Sequence, residues 1–126
     1  MRLVTGTFLL LAGCLGVGCG AAAPVPATQV TETQAAIRAA EEVGAPSVPK
    51  AALHLKMAKD QAQTAQTQMS NGDNEPARMT LDRARVDAEL ALALARESAL
   101  RAKAAEALEK ISKLRAEAGN SKPSAK

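Results

Sequence analysis

The sequence predicts an all-α fold: an alanine-rich antiparallel helical hairpin, with a short additional helix before it and a long C-terminal helix. Two segments carry alanine and leucine at alternating steps of four and three residues, which is the spacing of one helix face. Only Asn71-Gly72-Asp73-Asn74 separates them, and a turn this short brings consecutive helices together antiparallel. The chain is also rich in residues with high helix propensity, and many acidic and basic residues stand four positions apart.

The first helix is expected over residues 30–43. Its apolar side is formed by Val30, Ile37 and Ala40. Gly44-Ala45-Pro46 ends it, because glycine is a common C-terminal stop and proline cannot continue a helix. The preceding residues, 19–29, contain prolines that interrupt helical structure, so we expect a flexible tether there.

The second helix follows Ser47, a suitable N-cap residue, and Pro49 fits its first turn. Its apolar side chains form one stripe with seven-residue spacing, consisting of Ala51, Leu55, Ala58, Ala62, Ala65 and Met69. Such a stripe is expected to pack against a neighbouring helix. Met57 and Met79 are predicted to pack inside the hairpin together with Met69.

The third helix is predicted from about residue 75 to 118, with Asp73 or Asn74 as its cap and Gly119-Asn120 as its end. The stripe that faces the second helix consists of Ala77, Leu81, Ala84, Ala88, Ala91 and Ala95. Alanine lets two helix backbones approach closely, although each alanine removes little apolar area from water. We therefore expect a thin core.

Antiparallel pairing uses up the second helix near residue 98, so the rest of the third helix has no partner within the hairpin. A second apolar stripe continues there on a rotated face, formed by Leu100, Ala104, Ala107, Ile111, Leu114 and Ala118. We predict a partner surface here, for another copy of the chain or for a different protein; the alternative is a frayed helix in a monomer. The helical domain is predicted over residues 30–118, followed by a disordered tail at 119–126.

The N-terminal segment has the properties of a removable export signal. Arg2 supplies positive charge, and the uncharged residues 3–17 fall short of the roughly 20 residues that a membrane-spanning helix needs. Two cysteines then compete to be the lipid-modified residue of a bacterial lipoprotein. Gly16-Val17-Gly18-Cys19 gives a signal peptide of usual length, residues 1–18, and discards Cys14 with it, so Cys19 is favoured.

Cys14 is the alternative lipidation site, because Leu11-Ala12-Gly13-Cys14 has leucine three residues before the cysteine and resembles the lipobox more closely. Cleavage there leaves a short signal and an unpaired thiol at Cys19 in an oxidising compartment. An ordinary secretory signal with incidental cysteines is the remaining alternative. Neither cysteine is followed by the aspartate that resembles an inner-membrane retention signal, so in a bacterium with two membranes we expect an outer-membrane anchor facing the periplasm.

Charge and aromatic content argue against two classes of partner. Without residues 1–18 the chain keeps 15 basic and 13 acidic residues, a net charge of +2, so the basic pI does not indicate nucleic-acid binding. Tryptophan and tyrosine are absent and Phe8 lies in the signal, whereas small-molecule pockets and single-stranded nucleic-acid sites rely on aromatic rings. Residues 101–126 hold 7 basic and 3 acidic residues, which fits an anionic surface or the negative pole of a helix.

Candidates for catalysis or metal binding are few. His54 is the only histidine, and with Met57 it supplies just two weak ligands on one helix face, so we expect a structural or exposed histidine and no metal site. Asp82, Asp87 and Glu89 are grouped, but arginines lie among them, which is typical of a solvated face. Because no nucleophile, general acid and general base can be assembled, the sequence predicts a protein that is not an enzyme and needs no cofactor.

The helical body resembles the bacterial domain of unknown function 4398 family over about residues 30–100. The resembling sequence is Ala36-Ile37-Arg38-Ala39-Ala40-Glu41-Glu42-Val43-Gly44-Ala45, then Gly72-Asp73, Ala77, Leu81, Ala84 and Asp87-Ala88-Glu89-Leu90-Ala91. This resemblance implies a short helical envelope protein, often a lipoprotein, fused in some relatives to peptidoglycan-binding outer-membrane domains. It implies no catalytic residue.

The C-terminal sequence from Gly119 predicts a flexible tail that finishes in Lys126. An alanine-rich helical lipoprotein with a terminal lysine is similar in plan to the major murein lipoprotein, in whose family the last lysine is acylated onto peptidoglycan. The residues before Lys126 depart from that family's pattern. The similarity implies Lys126 as a candidate for covalent attachment to the cell wall.

These features together predict a non-enzymatic, membrane-anchored lipoprotein that acts as a helical scaffold or adaptor in the bacterial cell envelope. The expected partners are membrane lipid, through acyl chains on Cys19, and an envelope protein or a second copy, through the stripe from Leu100 to Leu114; nucleic acid is not expected. Two alternatives stay open. One is a lipoprotein that links the outer membrane to peptidoglycan, and the other is an accessory subunit of an envelope enzyme.

Overall fold

A computed structural model describes residues 23–120, which form three α-helices and one short 3₁₀ turn. The elements are α1 (Ala27–Glu42), the 3₁₀ turn (Ala45–Ser47), α2 (Pro49–Ser70) and α3 (Asn74–Asn120). The predicted all-α class is confirmed, as are the short helix at the N-terminal side and the long helix at the C-terminal side. Within the described residues, no helix is long and apolar enough to span a membrane.

The second and third helices pack antiparallel along a seam of alanines. Leu55, near the start of α2, shares a buried cluster with Ala91 and Ala95 of α3. At the other end of the seam, Ala65 of α2 shares a cluster with Ala77 of α3. The whole predicted stripe of α3 is buried, and of the α2 stripe only Ala62 and Met69 are half-buried. Small side chains therefore line the contact, as the sequence predicts.

The first helix runs parallel to α3, so the molecule is a three-helix bundle. The side-chain amide of Asn74 donates to the carbonyl of Ala23 at 2.6 Å, and the buried hydroxyl of Thr33 donates to the carbonyl of Leu81 at 3.1 Å. Farther along α1, Ala40 joins the cluster that contains Ala91. The chain therefore enters the bundle beside the turn between α2 and α3.

Helix boundaries differ from the predicted ones at both ends of the domain. Helix α1 begins at Ala27, three residues early, because the buried Pro26 already accepts a hydrogen bond from the Val30 amide at 3.1 Å. At the other end, α3 includes Gly119 and Asn120, which were expected to terminate it. The remaining residues of the predicted tail, 121–126, lie outside the described part of the chain.

The connections between helices follow from two glycines with left-handed backbone conformation. Gly44 has φ +88° and its amide donates to the carbonyl of Glu41 at 2.9 Å, which ends α1 as predicted. Gly72 has φ +85° in the turn between α2 and α3. The prediction of Ser47 as the cap of α2 is wrong, because Ser47 closes the 3₁₀ turn and Val48 occupies the cap position in extended conformation. Pro49 is the first residue of α2.

The third helix is much longer than the bundle it belongs to. Its 47 residues correspond to about 70 Å of α-helix. Bundle contacts end where Arg101 and Ser98 line a groove with Val48 and Pro49, at the N-terminal end of α2. Residues 101–120 are exposed throughout and project about 30 Å beyond that point. We call this segment the extension.

Candidate functional site

A polar cluster bridges α2 and α3 in the middle of the alanine seam. The Asp87 carboxylate accepts a hydrogen bond from the Gln61 amide at 2.8 Å, and its other oxygen lies 2.9 Å from Nδ1 of His54. Both His54 and Asp87 are partly buried. The expectation that Asp87 belongs to a solvated face is wrong, because its carboxylate contacts His54 and Gln61 of α2, which lie 33 and 26 positions earlier in the sequence.

This cluster does not assemble a metal site. The His54 ring contacts Asp87 on α3, whereas the side chain of Met57 is exposed. Among the described residues, no group of three or more histidine, cysteine, aspartate or glutamate side chains is arranged to hold a metal ion. Of the three methionines predicted to pack inside the hairpin, only Met69 contacts the core; the prediction is wrong for Met57 and Met79, which are exposed.

The other acidic residues named from the sequence lie at the surface. Asp82 and Glu89 are exposed, and Glu89 accepts a hydrogen bond from Arg85 at 2.7 Å. This hydrogen bond raises the pKa of Arg85, and the charge of Glu32, 4.0 Å away on α1, adds to it. The ion pair between Arg85 and Glu32 links α3 to α1. Asp82 and Glu89 remain accessible from solvent.

All five residues of the predicted partner surface are exposed, Leu100 directly before the extension and the other four on it. The exposed fraction is 66% for Leu100, 45% for Ile111 and 55% for Leu114, and Ala104 and Ala107 are exposed between them. The structure brings these five onto one side of α3, since their spacing alternates four and three. Leu108, also exposed, lies at the edge of the same stripe.

The exposed apolar stripe is longer than the sequence analysis predicted. It continues back over the folded bundle on the same side of α3, interrupted by the charged Glu97 and Arg83. The exposed apolar residues of this part are Ala93, Leu90, Val86 and Met79. The buried stripe of α3 is offset from it by two residues, or about 200° around the helix. We call the exposed stripe from Met79 to Leu114 the outer face, because α1 and α2 pack on the opposite side of α3.

Charges beside the outer face divide α3 into two halves. Along one edge the sequence places Asp82 and Glu89 in the first half, and Lys103 and Lys110 in the second half. All four side chains are exposed. The centre of the outer face is therefore apolar except at Arg83 and Glu97. Its edge is acidic near the α2–α3 turn and basic at Lys103 and Lys110 on the extension.

The residues proposed for covalent attachment lie outside the described part of the chain. Cys19 and its alternative Cys14 precede residue 23, and Lys126 follows residue 120. The structure therefore describes the helical body and the surfaces it presents. The two lipidation candidates and the wall-attachment candidate stay predictions from the sequence.

A protein-family model matches residues 28–120, and its description is Domain of unknown function (DUF4398). The match covers nearly three quarters of the chain. The chain belongs to this family. No curated protein and no solved structure matches it.

The DUF4398 region takes in nearly all of α1 and the whole of α2 and α3, including the extension. Two sequence segments that carry the resemblance lie at helix ends: Gly44 turns the chain after α1, and Gly72-Asp73 forms the turn before α3. The outer face also falls within the DUF4398 match. Its first half was missed by the sequence analysis, although continuing the four-and-three spacing back from Leu100 to Met79 would have found it.

Proposed function

We propose that this protein is a lipid-anchored helical scaffold or adaptor of the bacterial cell envelope, without catalytic activity of its own. One observation carries the proposal: α3 presents, from Leu100 into the extension, an apolar stripe that no other described part of the chain covers. Apolar side chains repeated along a helix gain most when another surface removes them from water. The stripe from Leu100 to Leu114 is thus the proposed partner surface.

The proposed anchor is Cys19 at the end of the export signal, with Cys14 as the alternative. Ala23 is held beside Asn74, and the four chain steps from Cys19 to Ala23 span at most about 14 Å. An acylated Cys19 would therefore hold the end of the bundle that contains the α2–α3 turn close to the membrane. The extension begins about 40 Å farther along α3, so the stripe from Leu100 to Leu114 lies well away from the anchor.

The non-enzymatic part of the proposal is supported by the roles of the polar groups. The Asp87 carboxylate accepts hydrogen bonds from two sides within the helix seam. The exposed acids of α3 include Glu89 and Glu97, which pair with basic residues four positions away on the same helix. These arrangements stabilise helices and their contacts, and they do not point to a substrate.

The test is the mass of the intact protein taken from membranes, before and after digestion of the cell wall with muramidase. The proposal predicts an N-terminal Cys19 carrying two or three acyl chains, and an unmodified C-terminus in both samples. A muropeptide mass on Lys126 would instead make the protein a link between membrane and wall. An unlipidated chain that starts elsewhere would overturn the envelope anchor.

The accessory-subunit alternative is tested by removing the partner surface. Purification of the full chain and of a variant lacking residues 103–126 from the same membranes compares what each retains. A scaffold or adaptor loses its bound protein when the extension is removed, and stays on the membrane because the anchor lies at the other end. An envelope enzyme whose activity falls with the same deletion would favour the accessory subunit.

A further inference from the structure

We infer that the occupant of the outer face is a second copy of this chain, docked antiparallel on α3 with the two-fold axis at the level of Ala95 along the helix. This deepens the proposed function, on which it rests for the partner surface, by naming the partner. It also enlarges that surface, because the outer face extends from the extension to Met79 on the folded bundle.

The outer face has the pattern of a coiled-coil seam that lacks its partner helix. From Met79, one column of positions recurs every seven residues as Met79, Val86, Ala93, Leu100, Ala107 and Leu114. A second column, four residues after the first, contains Arg83, Leu90, Glu97, Ala104 and Ile111. Two such columns sustained over five heptads are typical of helices that pair. Arg83 and Glu97 are the charged exceptions, and they decide the orientation.

An antiparallel pairing centred on Ala95 matches apolar side chains across the seam. In this register Met79 lies opposite Ile111 of the second copy, and Leu90 lies opposite Leu100. Large side chains also meet small ones, since Val86 faces Ala104. Small residues also lie opposite the two charged exceptions, since Arg83 faces Ala107 and Glu97 faces Ala93. The small alanine leaves room for the long charged side chain to reach water.

The charges along the edge of the outer face complement one another in this register. Asp82 lies opposite Lys110 of the second copy and Glu89 lies opposite Lys103, and the two-fold axis produces each pair twice. The like-charge contacts along this edge are Arg96–Arg96 at the axis and Glu75–Glu117 beyond each end of the outer face. Opposite charges at the flanks of a helix pair determine partner and orientation.

A parallel pairing places like charges together at several positions in the seam and along its edges. Arg83 would meet Arg83 and Glu97 would meet Glu97 inside the seam. Along the edges Arg96 would face Arg101, and Lys110 would face Arg115, with no opposite-charge pair to compensate. Like charges directly across a helix interface are destabilising, so the same sequence that favours the antiparallel pair rejects the parallel one.

The antiparallel pair has a consequence for the membrane anchor. Asn74 lies 21 residues from Ala95, so the two anchor ends lie about 60 Å apart at opposite ends of the paired helices. Two acylated copies can enter one membrane only if the paired α3 helices lie along its surface. The dimer would then be a flat bar held at both ends.

Site-directed crosslinking in the full chain tests the pairing. Arg96→Cys places a thiol on the two-fold axis, so we expect a short bis-maleimide to join two copies. Leu100→Cys is the matched control, because in the antiparallel register the two thiols lie about 15 Å apart along the helix axis, whereas a parallel pair brings them together. The parent chain gives the background from Cys14 and Cys19, which keeps the result independent of lipidation.

Charge reversal tests the proposed contact between Glu89 and Lys103. We expect Lys103→Glu to raise the dimer dissociation constant on the order of tenfold, measured by sedimentation in detergent, because two attractive pairs become repulsive. The double variant Glu89→Lys, Lys103→Glu restores both pairs and with them the dimer. Lys113→Glu, on a different side of the extension, makes the same charge change and should leave the dissociation constant unaltered.

Several results would overturn the inference. Crosslinking through Leu100→Cys alone would show a parallel pair, and Arg96→Cys joined to a different protein would show another occupant. A chain that stays monomeric at about 100 μM would remove the second copy as partner. Equal dissociation constants for the Lys103→Glu and Lys113→Glu variants would overturn the proposed antiparallel register. Because these readouts do not depend on the acyl chains, their failure is distinguishable from an unlipidated Cys19.

Discussion

At the scale of single residues, hydrogen bonds between helices contribute a large share of the stability of this bundle, because its core is built mainly of alanine. An alanine contributes little apolar area to a helix contact, so the seam supplies only modest hydrophobic stabilisation. Asp87 joins α2 to α3 through His54 and Gln61, and Thr33 joins α1 to α3 through the carbonyl of Leu81. These hydrogen bonds form only when the helices are in register, so they help to define it.

The variant Asp87→Ala tests how much the contacts of Asp87 with His54 and Gln61 stabilise the bundle. It leaves His54 and Gln61 partly buried without their shared acceptor, so we expect the free energy of unfolding to fall by about 1–2 kcal/mol. Urea unfolding followed by circular dichroism measures the change. Glu109→Ala, an exposed acid of the extension paired only with Lys113, is the control, and its cost should stay below about 0.5 kcal/mol. Equal costs would mean that these contacts do not stabilise the seam.

At the scale of helices, the sequence predicts each element and the alanine-rich side of α3 that is buried, but not how far the exposed apolar stripe on the other side extends. Both sides of α3 carry apolar residues at heptad spacing: Leu81 is 2% exposed in the seam, whereas Leu90 is 40% exposed on the outer face. Periodicity alone cannot rank two such sides. Packing decides between them, since α1 and α2 both bury the side with more alanine, where backbones approach most closely.

The contact between His54 and Asp87 could not be predicted from the sequence, for a different reason. His54 and Asp87 lie 33 residues apart on different helices, and their contact depends on the register of α2 against α3. A shift of one helical turn, about 5.4 Å, would separate them. Spacing within each helix predicts the two stripes but not their relative position along the axis. Interhelical pairs of this kind therefore become visible only in the folded structure.

Replacing a seam alanine by leucine tests the close approach of the helices. Ala84 is fully buried in the α3 stripe, so the larger side chain of Ala84→Leu must push α1 or α2 away from α3. Overpacking of this kind costs about 1–3 kcal/mol, which thermal unfolding detects as a lower midpoint. Ala102→Leu, exposed on the extension, adds the same atoms without a neighbour to displace. A similar loss in both variants would contradict tight packing at the seam.

At the scale of the whole molecule, α3 is one helix with two sources of stability. Its first half is held by α1 and α2, while the extension relies on intrinsic propensity and on pairs such as Glu97–Arg101 and Glu109–Lys113. The extension lacks the tertiary packing that supplies most of the stability of helices in proteins. The extension is therefore the part whose order responds most to a partner, and docking of a second copy would stabilise it over its full length.

Truncation after Ala102 separates the two halves of α3. Because residues 103–120 are exposed throughout, their removal should shift the thermal midpoint by less than about 3 °C at concentrations where both chains are monomeric, with loss of helical signal from those residues alone. At higher concentration the two chains should diverge. The midpoint of the full chain should rise with concentration, because binding of a second copy favours the folded state, and the midpoint of the truncated chain should stay constant. A truncated chain that unfolds at much lower temperature even as a monomer would mean that the extension supports the bundle directly.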